Sequence, residues 1–91
     1  MLPRKLIFFI NPISGTANKQ KLEKVIHASM QANGIDYSIQ HTKKDGNYED
    51  EKQQAIQTSV TDIIICGGDG TINSIAAYFI NTNIRIGIIP M

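Results

Sequence analysis

The sequence predicts a parallel α/β sandwich, and three observations predict it. Four short apolar runs alternate with three longer amphipathic stretches along the 91 residues. Every link between two apolar runs is long enough for a crossover, which makes the strands parallel and the connections right-handed. Two of the runs are nearly all apolar, as strands covered on both faces must be. The order is therefore β-α-β-α-β-α-β, with helices as the outer layers of three and a mostly parallel sheet as the middle one.

Each element follows from local pattern. The first strand is Lys5–Ile10 (KLIFFI), a central strand closed by Asn11 and Pro12, with Ser14 and Gly15 continuing the turn. A helix is expected over residues 17–33, because Leu22, Val25, Ile26 and Met30 recur at three-and-four spacing. Asn33 and Gly34 stop it. Residues 35–41 (IDYSIQH) alternate apolar and polar, like a half-buried strand nearer an edge. Residues 43–46 form a polar turn. Asn47 and Asp50 then suggest a capping box for a helix running to about Ser59 and burying Tyr48, Ala55 and Ile56. Residues 62–66 (DIIIC) are a second buried strand, and residues 67–70 are a turn. The helix over residues 71–80 places Ile72, Ile75, Ala76, Phe79 and Ile80 on one side. Residues 81–83 break it, and residues 85–89 (RIGII) are the fourth strand, ended by Pro90. No helix follows to cover that strand, so the sequence is expected to be incomplete.

Composition narrows the function. Ninety-one residues make one small domain. A charged content of 19% and a net charge of +1 give no dense basic patch for nucleic acid and no strong field for an anionic membrane. The clusters Lys19, Lys21, Lys24 and Lys43, Lys44 read as solvated faces. The single cysteine, Cys66, excludes an internal disulfide and suits a reducing cytosol. The apolar run at residues 6–10 is too short to span a membrane and lacks a cleavage site. A cytoplasmic, unanchored protein is expected.

In an open parallel sheet, ligands bind outside the carboxyl ends of the strands. The informative residues are those that follow each apolar run: residues 11–15 (NPISG), Thr42, and residues 67–73 (GGDGTIN). In the last group, Gly67, Gly68 and Gly70 follow a strand and open a helix. Glycine allows left-handed dihedrals and close approach of a ligand to the main chain. The exposed N–H groups of the turn and first helical turn form an anion site, and a phosphate fits it. Thr71 adds a hydroxyl and Asn73 an amide. Neither a Walker A sequence nor GxGxxG is present.

Asp69 is the unusual member. A dry, unpaired carboxylate beside a polyphosphate is repelled by several kcal/mol. It belongs there if it meets a cation such as Mg²⁺ or takes a proton from a nucleophile, or else if it only satisfies turn amides. His27 and His41 lack acidic or cysteine partners at ligand spacing. Ser14, Ser38 and Ser59 lie in no nucleophile elbow, and Cys66 reads as core packing.

NPISG, then GGDGTIN, then a strand ending IGIIP together resemble the catalytic domain of diacylglycerol kinases. The likeness is strongest to the bacterial lipid kinases and more distant to sphingosine and ceramide kinases. It covers essentially the whole chain in order and spacing. GGDGT alone is less specific, since NAD kinases carry it and phosphofructokinases have a close relative. The resemblance implies a Rossmann-like, phosphofructokinase-like fold that binds ATP with Mg²⁺. Asn11, Pro12, Ile13, Ser14 and Gly15 match the family's first nucleotide loop. Thr42 matches the threonine that ends its second strand and touches the nucleotide. Gly67, Gly68, Asp69, Gly70, Thr71, Ile72 and Asn73 match its phosphate loop, with Asp69 as the catalytic acidic residue, orienting Mg²⁺-ATP or assisting the acceptor hydroxyl.

The family continues past the fourth strand into G-[ST]-x-N-[DE] and then a β-rich lipid-binding domain, and this sequence ends one residue before that motif. The parent protein is expected to transfer the γ-phosphate of ATP to a diacylglycerol-like hydroxyl, with peripheral membrane contact within reach. The segment alone is expected to be inactive. Two alternatives remain: an NAD-kinase-type enzyme, and a non-catalytic nucleotide-binding module that pairs with another copy through the uncovered sheet face.

Overall fold

The structure, a computed structural model, describes residues 3–11 and 16–90. The elements run β1 (Lys5–Ile10), α1 (Thr16–Ala32), β2 (Asp36–His41), α2 (Glu49–Gln57), β3 (Asp62–Gly67), α3 (Asp69–Phe79) and β4 (Arg85–Pro90). The four strands form one sheet in the order β2-β1-β3-β4, and every neighbouring pair is parallel. The α/β class and the strand-helix alternation are as the sequence predicts.

The two-residue period of a strand sorts the core into two layers. On β1, Leu6, Phe8 and Ile10 face one way and pack with Ile26 of α1, while Leu22 and Met30 close that layer. Ile7 and Phe9 face the other way, and with Ile63 and Ile65 of β3 they meet Ala55 of α2 and Ile75 and Phe79 of α3. Residues from both layers explain why β1 and β3 are almost unbroken apolar runs: each is central and covered twice. Burial of each such side chain contributes about 1.5–3 kcal/mol. β2 lies at one edge and alternates in burial, with Tyr37 and Ile39 turned toward α1. Cys66 is fully buried in this core, and burial pushes its thiol up to about 11.

Several boundaries differ from the expectations. The Asn47–Asp50 capping box does not form. Instead Asp45 Oδ1 accepts the Asn47 N–H (2.9 Å) and Asn47 Oδ1 accepts the Glu49 N–H (3.1 Å), so two side-chain turns take those groups before α2 begins. Helix α2 ends at Gln57, and Ile56 is 49% exposed rather than buried. Gly67 belongs to β3 and α3 starts at Asp69, which leaves Gly68 alone as the turn. Ile80 caps α3 and is 71% exposed, because the chain has already turned off the core there. β4 is an edge strand with Ile88 exposed.

At the amino edge of the sheet a buried carboxylate ties three segments together. Asp62 accepts from Arg85 Nε (3.1 Å) and Nη2 (3.2 Å), from Arg4 Nη2 (3.4 Å) and from Thr61 Oγ1 (2.7 Å). No helix among the described residues is long and apolar enough to cross a membrane.

Candidate functional site

The strand order places a topological switch point between β1 and β3. From β1 the chain moves to β2 on one side, whereas β3 and β4 lie on the other. Loops leaving the carboxyl ends of the two central strands therefore diverge and open a crevice. Three strand ends are held together there. Asn11 N–H donates to Cys66 O (3.3 Å), and Thr42 N–H donates to Ile10 O (3.1 Å), extending the ladders past the last paired residues.

A cavity of about 650 Å³ occupies this edge. Asn11 and Thr42 line it from the ends of β1 and β2, and Gly70, Thr71 and Ser74 line it from the first turns of α3. The loop between β2 and α2 closes a third side with Lys43, Lys44 and Gly46, and Tyr48 stands behind that loop. Tyr48 is 2% exposed overall, and its ring sits edge-on to Phe9 (5.7 Å between centroids) and to Tyr78 (6.1 Å). Its hydroxyl accepts the Lys43 N–H at 2.7 Å, so the aromatic core sets the position of the loop.

The glycine-rich segment works by space and not by left-handed backbone. Among the described glycines only Gly34 and Gly46 have positive φ, and both serve turns. Gly68 is extended (φ −87°, ψ −178°), which any residue adopts. A Cβ at Gly68 or Gly70 would meet nothing within 4 Å, so the main chain there is bare. Gly67 has a different role. It is buried, and a Cβ on it would lie 3.1 Å from Thr71 Cβ and Cγ2, so its lack of a side chain lets Thr71 fold back onto the strand end.

Among the described residues no side chain caps α3, and its first intrahelical bond runs from Ile72 N–H to Gly68 O (3.0 Å). The amides before it carry the partial positive charge of the helix N-terminus. Asp69 is the first helical residue and is exposed; it complements that charge but does not line the cavity. Ile72 packs on the core and Asn73 is exposed, both outside the lining. Pro12, Ile13, Ser14 and Gly15 lie outside the described residues.

The structure thus brings Asn11, Thr42 and the Gly70–Thr71 pair to one cleft from three distant stretches of chain. It adds Lys43, Lys44, Gly46, Tyr48 and Ser74, none of which the residue patterns assigned to a site. The lysines read as solvated because net charge and sequence spacing carry no direction. The available signal was their position directly after Thr42, at the same sheet edge.

Electrostatics distinguish the two lysines. Lys43 Nζ pairs with Glu51 Oε2 (2.5 Å), donates to Asn47 O (3.1 Å) and lies 5.8 Å from the Tyr48 ring centre. The Glu51 hydrogen bond raises its pKa above the ordinary value. Elsewhere, His27 contacts the Tyr37 hydroxyl and His41 lies 3.8 Å from Glu23, so both imidazoles have partners on the β2–α1 side.

Fold and cleft together define a doubly wound α/β domain whose candidate site is built on loops at the switch point. The chain belongs to the diacylglycerol kinase catalytic domain family, whose sequence profile matches residues 5–91. It is similar to the diacylglycerol kinase of Staphylococcus carnosus, with 31% identity over 89% of the chain. An uncharacterized protein of Synechocystis sp. is 32% identical over 93% of the chain. The structure of a candidate diacylglycerol kinase from Bacillus anthracis superposes with a TM-score of 0.68 and 30% identity over 96% of the chain. The chain spans 27%, 22% and 32% of the lengths of these three proteins, respectively.

Proposed function

We propose that this chain is the ATP-binding portion of a lipid kinase, which transfers the γ-phosphate of ATP to a diacylglycerol-like hydroxyl. The observation that carries the reading is the cleft at the switch point. It joins two strand-end polar groups, Asn11 and Thr42, to the uncapped first turn of α3. Bare main chain at Gly68 and Gly70 gives a phosphate room to reach the helix amides. Family membership supplies the acceptor class and favours the lipid branch over an NAD-kinase-type enzyme.

Transfer of a phosphoryl group needs positioning and charge neutralisation more than covalent chemistry by the protein. Among the described residues, no cluster of three or more His, Cys, Asp or Glu would hold a metal ion alone. The donor set suits Mg²⁺ arriving on the nucleotide, because that ion is commonly held by substrate phosphates and one or two carboxylates. Asp69, the exposed first residue of α3, is in this reading the carboxylate that meets the ion or assists the acceptor hydroxyl. In this reading the lipid cleft and membrane contact belong to a further domain of the parent enzyme, and the parent works in the cytoplasm.

An amide chemical-shift titration with Mg²⁺-ATP tests the site. Asn11, Thr42, Gly70 and Thr71 should shift together with one affinity. Scattered or absent shifts in a folded sample would remove the nucleotide reading.

A further inference from the structure

We propose that Lys44 is the cation that takes up the polyphosphate tail of the nucleotide, an assignment that rests on reading the cleft as a nucleotide site. Two adjacent lysines line that cleft, and the structure uses them differently. The charge of Lys43 is committed to Glu51, and its backbone N–H to the Tyr48 hydroxyl. Lys43 therefore holds the loop against α2. Lys44 is exposed and has no hydrogen bond or ion pair among the described residues. The nearest carboxylate in sequence, Asp45, is engaged by the Asn47 N–H at 2.9 Å.

None of the described residues lining the cleft is acidic. An unpaired ammonium on a flexible stem, in a cleft without a lining carboxylate, raises the local concentration of anions and can follow a phosphate as it seats. The uncapped turn of α3 contributes to the same cleft through Gly70 and Thr71. Fixed amides there and a mobile ammonium on the β2–α2 loop make a two-sided grip suited to an extended anion, which a single phosphate would not fill. Lysine binds phosphate as a point charge, so the fit needs no bidentate geometry.

The test uses the full-length protein and calorimetry with Mg²⁺-ATP, together with competition by inorganic tripolyphosphate. Lys44→Ala should weaken both ligands by about tenfold, the size expected for loss of a charge-assisted contact. Lys44→Arg should restore most of the affinity. Lys24→Ala, which removes the same charge from the exposed side of α1, should leave both affinities unchanged. Equal binding by wild type and Lys44→Ala would overturn the assignment while leaving the nucleotide site intact. So would weakening of ATP with tripolyphosphate unaffected, since Lys44 would then contact the nucleoside. Failure of the wild type to bind either ligand would remove the nucleotide site and the role of Lys44 together.

Discussion

Three glycines in GGDG answer to different physical demands. Gly67 makes room for Thr71, Gly70 lines the cleft, and Gly68 leaves its main chain bare at the turn before it. Because Gly68 has ordinary extended dihedrals and open space above it, Gly68→Val should fold with nearly unchanged melting temperature yet lose ATP binding. Retained ATP affinity in that folded variant would mean that no ligand approaches the turn. Asp69 sits where a carboxylate also favours the helix dipole, so its removal costs about 0.3–1 kcal/mol of stability at most. In the full-length enzyme, Asp69→Asn should therefore lower turnover by orders of magnitude with a much smaller change in nucleotide affinity. Steady-state kinetics showing turnover near wild type would leave Asp69 as a helix-end residue only.

At the scale of elements, the two ends of the sheet do opposite work. The carboxyl edge holds the cavity, while the amino edge is locked by Asp62 between Arg4 and Arg85. Burial pushes the Asp62 carboxyl upward, but the Thr61 and Arg85 hydrogen bonds and the charges of Arg4 and Arg85 outweigh it and hold its pKa below the ordinary 3.8. A carboxylate with a depressed folded pKa stabilises the protein fully above its unfolded value. That contribution fades as pH falls through the folded value. Asp62→Asn should thus lower the melting temperature by several degrees at pH 7, and the gap from wild type should close below about pH 4. A gap constant from pH 7 to pH 2, measured by thermal denaturation, would show that the ion cluster does not act through its charge.

For the molecule as a whole, the proposed function divides the work between a nucleotide cleft and an acceptor site. The chain spans 22–32% of the lengths of the three relatives, and its strand-end cleft supplies the part of the reaction proposed for it. We expect the 91-residue chain to bind Mg²⁺-ATP weakly and to phosphorylate no diacylglycerol, while the full-length protein does both. A radiolabel transfer assay on the two proteins side by side checks this, and transfer by the short chain would place the acceptor site within these residues.

Much of this was legible in one dimension because strands and helices leave periodic traces. KLIFFI and DIIIC announced central strands by having no polar face, and IDYSIQH announced an edge by alternating. The glycine-rich segment announced a bare strand-to-helix junction. Periodicity did less well at element ends. Ile56 and Ile80 fit their helical stripes, yet both lie where the chain leaves the core and are exposed. Asn47 and Asp50 had capping-box spacing, but neighbouring Asp45 captured the Asn47 amide first.

The sequence by itself determined the α/β class, the parallel alternation and the residue types gathered behind each strand, because those depend on local pattern and on crossover length. Only the tertiary structure decided that β1 and β3 are neighbours, and hence that Asn11, Thr42 and Thr71 share a cleft. It alone distinguished Lys43 from Lys44, since whether a charge is spent or free depends on which carboxylate the fold brings within reach. Strand order and side-chain pairing are contacts across long stretches of chain, and no run of neighbouring residues records them.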